Sequence, residues 1–165
     1  MSPLLAFYRH QAPDHRGRWL AEIWRQNTGW LAQQHDVMPW LFPLPESSQQ
    51  HPMAPHLDED SRQTFAREPA LQLTLQHTLY FTLAGMGIEP LAGEWRGVGT
   101  ATADWLHDQH PHQRRLTRIV RCLFACGALG DAITLQAFLL QQGHHRVNPK
   151  TLEYWRQAGN GLPPC

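Results

Sequence analysis

Leu71, Leu75, Leu79 and Leu83 recur every fourth residue in a stretch opened by Pro69, and Tyr80, Phe81 and Met86 widen the same stripe. That run is longer than an ordinary strand, and residues four apart stack on one face of an α-helix. The segment is therefore predicted to be a central, largely buried helix. Leucine occurs 22 times in the chain, against eight for valine and isoleucine together. This favours helix, because unbranched side chains keep their rotamers there. The expected fold class is all-α, a single compact multi-helix domain over residues 1–165.

Apolar spacing and caps place the other elements. Trp19, Leu20, Ile23 and Trp24 mark a helix from Gly17 to Gln26 with Asp14 as N-cap, and Asn27-Thr28-Gly29 ends it. Thr28 caps a short second helix carrying Trp30 and Leu31 to about His35. Residues 39–55 hold five of the thirteen prolines, which excludes a regular helix there. Trp40, Leu41, Phe42 and Leu44 are too apolar for a solvated linker. The segment is expected to be an ordered Pro-rich wrap between the early helices, with Trp40, Leu41 and Phe42 packed between the second helix and the helix that starts at Pro111.

Asp58 to Ala66 reads as a helix with acids at its positive end and Phe65 turned inward. Five glycines between Gly85 and Gly99 mark a flexible connection between two halves of one domain. Beyond it, Thr102 to His107 forms a brief helix with Trp105 and Leu106. Pro111 suits the first turn of a strong helix that buries Leu116, Ile119, Val120 and Leu123 and ends at Gly127. Asp131 caps a helix carrying Ile133, Leu135, Phe138, Leu139 and Leu140 up to Gly143. Asn148-Pro149 caps and opens a last one with Leu152 and Trp155.

Fourteen basic residues balance fourteen acidic ones. A bulk electrostatic grip on nucleic acid or on an anionic membrane is thereby excluded as the default. No stretch is long and apolar enough for a membrane span, and Met1 to His10 lacks a charged leader before an apolar core, so a cytoplasmic location is expected. Thirteen arginines against the single Lys150 hint at a GC-rich bacterial genome. Cys122 and Cys126 stand four apart as small buried side chains, and Cys165 is not placed for prenylation. A domain of this size buries roughly 70% of its unfolded surface and needs no disulfide or metal to stay folded.

The segment His35-Asp36-Val37-Met38-Pro39-Trp40-Leu41-Phe42-Pro43-Leu44-Pro45 resembles the signature of the opioid growth factor receptor conserved domain, a His-containing lead into Trp-Leu-Phe-Pro-Leu. Arg115-Leu116-Thr117-Arg118-Ile119-Val120 is similar to the family's Arg-Ile-Thr-Arg-Ile-Leu helix, continued by Leu123 and Gly127. Phe7-Tyr8, Pro13-Asp14, Gly17-Arg18, Ala54-Pro55, Phe65 and Thr151 to Trp155 extend the likeness over about residues 7–158. The chain departs from the pattern before the arginine helix, where the family tends to place His-Asn and His110-Pro111-His112-Gln113-Arg114 stands here. The resemblance implies a non-enzymatic, receptor-like binding module with a protein or peptide ligand, since the named family member is a receptor for methionine enkephalin. Animal members are nuclear or perinuclear through basic stretches outside the domain, and that residence is not carried over. Family resemblance transfers no catalytic residue and no cofactor.

A ligand site is expected where His35, Asp36, Trp40, Arg115 and Arg118 converge. Packing the two family-like stripes together would bring their polar pairs close. A buried arginine needs an acceptor, so the site is expected to be structural, an Arg118 to Asp36 lock joining the two halves; the functional alternative is that Arg115 remains free to receive an anionic or carboxylate group of a ligand. Arg114 and Arg121 read as a solvated face. The alternative is an HD-type metal-dependent phosphohydrolase using His35 and Asp36, with His10 or His15 and Asp104 or Asp108 completing the ligands. Against it, Asp36 reads as a cap of the Pro-rich segment and His35 as a helix-ending histidine favoured in its protonated form. His107, His110 and His112 lack a fourth zinc ligand and read as solvated.

Overall fold

In the computed structural model, which describes residues 2–27, 29–47, 51–107 and 109–162, the long leucine-striped segment forms helix α5 (Pro69–Ala84). Leu71, Leu75, Leu79 and Leu83 are buried along one face, while Leu73 and Tyr80 on the other face water. Glu59–Arg67 (α4) precedes it, started by Asp58, whose carboxylate accepts the Ser61 N–H at 2.7 Å. Asp58, expected as the first residue of the helix, is instead its side-chain cap.

The chain opens with α1 (Pro3–Tyr8), followed by a one-turn α2 (Leu20–Ile23) and a 3₁₀ turn at Leu31–Gln33. The helix expected from Gly17 to Gln26 is thus cut to one turn, and Trp19 is 37% exposed. Asp14 does not cap it. Its Oδ1 accepts the N–H groups of Arg16 and Arg18 at 2.9 Å each, and its Oδ2 accepts Arg18 Nε at 2.6 Å, closing a loop instead. Thr28, expected to cap the next helix, lies outside the described residues.

Pro39 does not exclude helix locally. It takes the first turn of the short α3 (Met38–Leu41), where its missing N–H costs nothing. Trp40, Leu41 and Phe42 are all buried. Trp40 packs edge-on against Phe7 of α1, with ring centroids 5.3 Å apart, and lies parallel to His15. The rest of the wrap returns to the body, where Leu57 N–H donates to the Leu44 carbonyl at 2.8 Å.

The glycine-rich stretch is a hairpin, not a flexible connection. Strands β1 (Ile88–Leu91) and β2 (Glu94–Gly97) pair antiparallel, Leu91 opposite Glu94. Ala92 and Gly93 between them both have positive φ, the two-residue turn whose twist suits a hairpin. Gly87 enters it at φ +74, and a Cβ there would overlap the Ala101 methyl. The fold among the described residues is therefore mostly helical with one small sheet added.

Helices α6 (Ala101–Trp105), α7 (Pro111–Ala125), α8 (Leu129–Gly143) and α9 (Pro149–Gln157) complete the fold. Leu116, Ile119, Val120 and Leu123 of α7 are fully buried, and Trp155 of α9 lies buried behind Gly143. Asp131 sits inside the first turn of α8 and does not cap it, and Ile133 is 56% exposed. Cys122 and Cys126 are buried, their Sγ atoms 3.9 Å apart; Cys165 is outside the described residues. Among those residues, no helix is long and apolar enough to cross a membrane.

Candidate functional site

The segment from Ala32 to Glu46 is largely irregular, so its carbonyl groups need donors from elsewhere. Arginines of α7 provide them. Arg115 Nη2 donates to the Ala32 carbonyl at 3.1 Å and to His35 Nδ1 at 3.0 Å. A guanidinium cannot accept, so Nδ1 is the accepting nitrogen and the imidazole proton resides on Nε2. His35 follows the 3₁₀ turn at Leu31–Gln33, and its ring nitrogen faces the Arg115 guanidinium. Arg118 Nη1 donates to the Phe42 carbonyl at 2.7 Å. Arg121 pairs with Glu46 and donates to the Ala158 and Asn160 carbonyls, so it does not belong to a solvated face. The spacing of three puts these side chains along one edge of the helix.

The Arg118 to Asp36 lock is not formed. Asp36 turns the other way, to Arg18 Nη1 at 3.3 Å, Arg16 Nε at 3.3 Å and His15 Nε2 at 3.1 Å. Burial raises its pKa, and the Arg18 and Arg16 guanidiniums outweigh that, holding the carboxyl below its usual range. Asp36 also leaves α3 uncapped, since no side chain bonds to that helix start. With the Arg16 and Arg18 guanidiniums and the His15 imidazole nearby on the 15–18 loop, Asp36 has no need of α7, and Arg118 meets a carbonyl first. Of the five expected site residues, His35, Arg115 and Arg118 come together; Asp36 joins the loop, and Trp40, 7% exposed, faces the core.

The three that converge line an open cleft of about 710 Å³ between the first turns of α7 and α9 and the 35–39 segment. Arg114 and Lys150 line it too, with Met38, Pro39 and Tyr154 supplying apolar and aromatic surface. Among the described residues, no carboxylate lines it. Among the same residues, no carboxylate forms a direct ion pair with Arg114, Arg115, Arg118 or Lys150, and Glu46, which lies close enough to act on Arg118, is held by Arg121. Burial lowers the pKa of both Arg115 and Arg118, a sign that these charges are partly withdrawn from water.

The neighbouring histidines register the same positive field. His110 lines the cleft and caps α7, its Nδ1 accepting the His112 N–H at 3.1 Å. Burial, then His107 and Arg115, lower the His110 pKa. His112, expected in solvent, is partly buried with its Nδ1 unpartnered. Its pKa falls to about 4 through burial, then the nearby His110 and Arg115. Among the described residues, no three His, Cys, Asp or Glu side chains are grouped to hold a metal ion. His10 stands edge-on to Trp24, Asp104 is exposed, and Asp108 lies outside the described residues.

Sequence reasoning missed Gln113 and the α9 contribution. Gln113 is buried and donates through Nε2 to the Trp105 carbonyl at 2.8 Å and to that of His107, while Thr151 Oγ1 lies 3.5 Å from its Oε1. Trp155 Nε1 donates to the Gln113 carbonyl at 3.2 Å. These bonds set the starts of α7 and α9 beside each other. The only local signals were the Asn148 cap, whose Oδ1 accepts Lys150 N–H at 2.8 Å, and Lys150 itself. Comparison of the chain with protein-family models, curated proteins and solved structures finds no match.

Proposed function

We propose that the protein is a non-enzymatic, receptor-like binding module of the opioid growth factor receptor type, taking the anionic group of a peptide ligand in the cleft. The observation that carries this reading is the convergence of Arg114, Arg115, Arg118 and Lys150 on one cleft that no carboxylate among the described residues lines. The volume suits a group of drug or side-chain size. The two segments with family resemblance meet at this place, because Arg115 bonds to His35 and Arg118 to Phe42. A phosphohydrolase has less support: His35 serves Arg115 and Asp36 serves the 15–18 loop, so the pair is not presented to one metal.

The test is a calorimetric titration of the full chain with acidic peptides, at low and high salt, with Arg114→Glu and Lys150→Glu alongside. Binding should weaken with salt and with each charge reversal. Salt-insensitive binding that both variants retain would refute the cleft. Turnover of a phosphate ester by protein supplied with divalent metal would overturn the non-enzymatic reading.

A further inference from the structure

The charge count in the cleft goes further than a general preference for anions, a step that rests on the cleft being the proposed ligand site. Arg114, Arg115, Arg118 and Lys150 bring four formal positive charges, and among the described residues no carboxylate lines the cleft; Glu46, which acts on Arg118 from outside it, is paired with Arg121. The positive ends of α7 and α9 face the same space, adding to the field. Their first free N–H groups are already occupied by His110 Nδ1 and Asn148 Oδ1. Side chains, not helix ends, must therefore supply the donors. Arg115 and Arg118 each spend one Nη atom on bonds to the 32–42 segment, and those bonds hold the guanidiniums in place before a ligand arrives.

A carboxylate brings one negative charge and two oxygens to such a site. A phosphomonoester brings about −1.5 to −2 and three strong acceptor oxygens, matching both the excess charge and the planar donor forks of arginine. We infer that the cleft reads a phosphomonoester dianion in preference to a carboxylate. Arg115 and Arg118 form its fixed floor, and the exposed Arg114 and Lys150 close on it from the rim. The phosphate source is a phosphorylated side chain of a peptide or a free phosphorylated small molecule, and the chemistry recognised is the same.

The experiment compares a short phosphoserine peptide, the same peptide with glutamate in place of phosphoserine, and glycerol phosphate, each titrated into the full chain. At least one phosphorylated probe should bind about tenfold or more tighter than the glutamate peptide. Arg114→Gln and Lys150→Gln, exposed substitutions that spare the packing bonds, should each weaken it by about threefold to tenfold. Arg25→Gln, away from the cleft, should change nothing. Equal or tighter binding of the glutamate peptide overturns the phosphate preference and leaves the anion cleft standing. Binding by none of the three probes overturns both. Glycerol phosphate binding without phosphopeptide binding upholds the dianion and removes the peptide.

Discussion

Arg118 is satisfied by backbone and Asp36 by a loop of cations, so the two should behave independently. Arg118→Met strips the donor from the carbonyl of fully buried Phe42 and should cost about 1–3 kcal/mol. Asp36→Asn should loosen the 15–18 loop. A double-mutant cycle is expected to give a coupling below about 0.5 kcal/mol, and a larger value would mean the residues interact. His112 sets a pH dependence. Its pKa is about 4 in the fold, below its ordinary value of 6.5. Between those values the unfolded chain binds a proton that the folded chain refuses, so stability is full above about 6.5 and falls as the pH drops towards about 4. Urea melts at about pH 7.5 and about pH 4.5 should show His112→Asn losing less on acidification than the wild type. The difference should be about 1 kcal/mol once solvent screening of a half-exposed ring is allowed for. Equal losses would refute it.

Among the elements, the contact of α8 with α9 is the tightest test of packing. A Cβ on Gly143 would stand 2.7 Å from a ring carbon of Trp155 and 3.1 Å from methyls of Leu152 and Val147. The indole is buried and tied through Nε1 to Gln113, so it cannot swing away. Gly143→Ala should therefore destabilise by about 1–3 kcal/mol despite alanine's better helix propensity, measurable by chemical denaturation. A stabilised variant would mean that α9 shifts freely on α8. The helix starts at Pro69, Pro111 and Pro149 were readable because proline and cap residues act over one turn. The α2 turn and the hairpin were not. Trp19 shares the spacing of Leu20 and Ile23, yet it is 37% exposed because the Asp14 loop holds residues 14–18 out of the helix, which starts only at Leu20. Ala92-Gly93 forms a turn that alanine ordinarily disfavours at positive φ.

For the whole molecule, buried side chains from Leu4 to Ala158 belong to one continuous core, and α1 rests on α5 while Arg121 links the wrap to the segment after α9. Residues on both sides of the hairpin contribute to that core. Denaturation followed by tryptophan fluorescence and by far-ultraviolet circular dichroism should accordingly give coincident single transitions, and separated midpoints would show two independently stable halves. The amino-acid order by itself determined the helical class, the buried stripes of α5 and α7, and the cap at Asn148. Periodicity and capping are decided within a few residues of chain. It also marked His35, Arg115 and Arg118, but not whom each would meet. Polar partners are chosen by distance after packing: Asp36 fell among Arg16 and Arg18, Arg118 beside a carbonyl, and Trp40 against Phe7. The cleft itself, with Lys150 brought across by α9 to Arg114, exists only because Gln113 and Trp155 join elements that sequence separates. Tertiary structure alone decides such a juxtaposition, since a cavity belongs to the surfaces of several elements and is encoded in none of them.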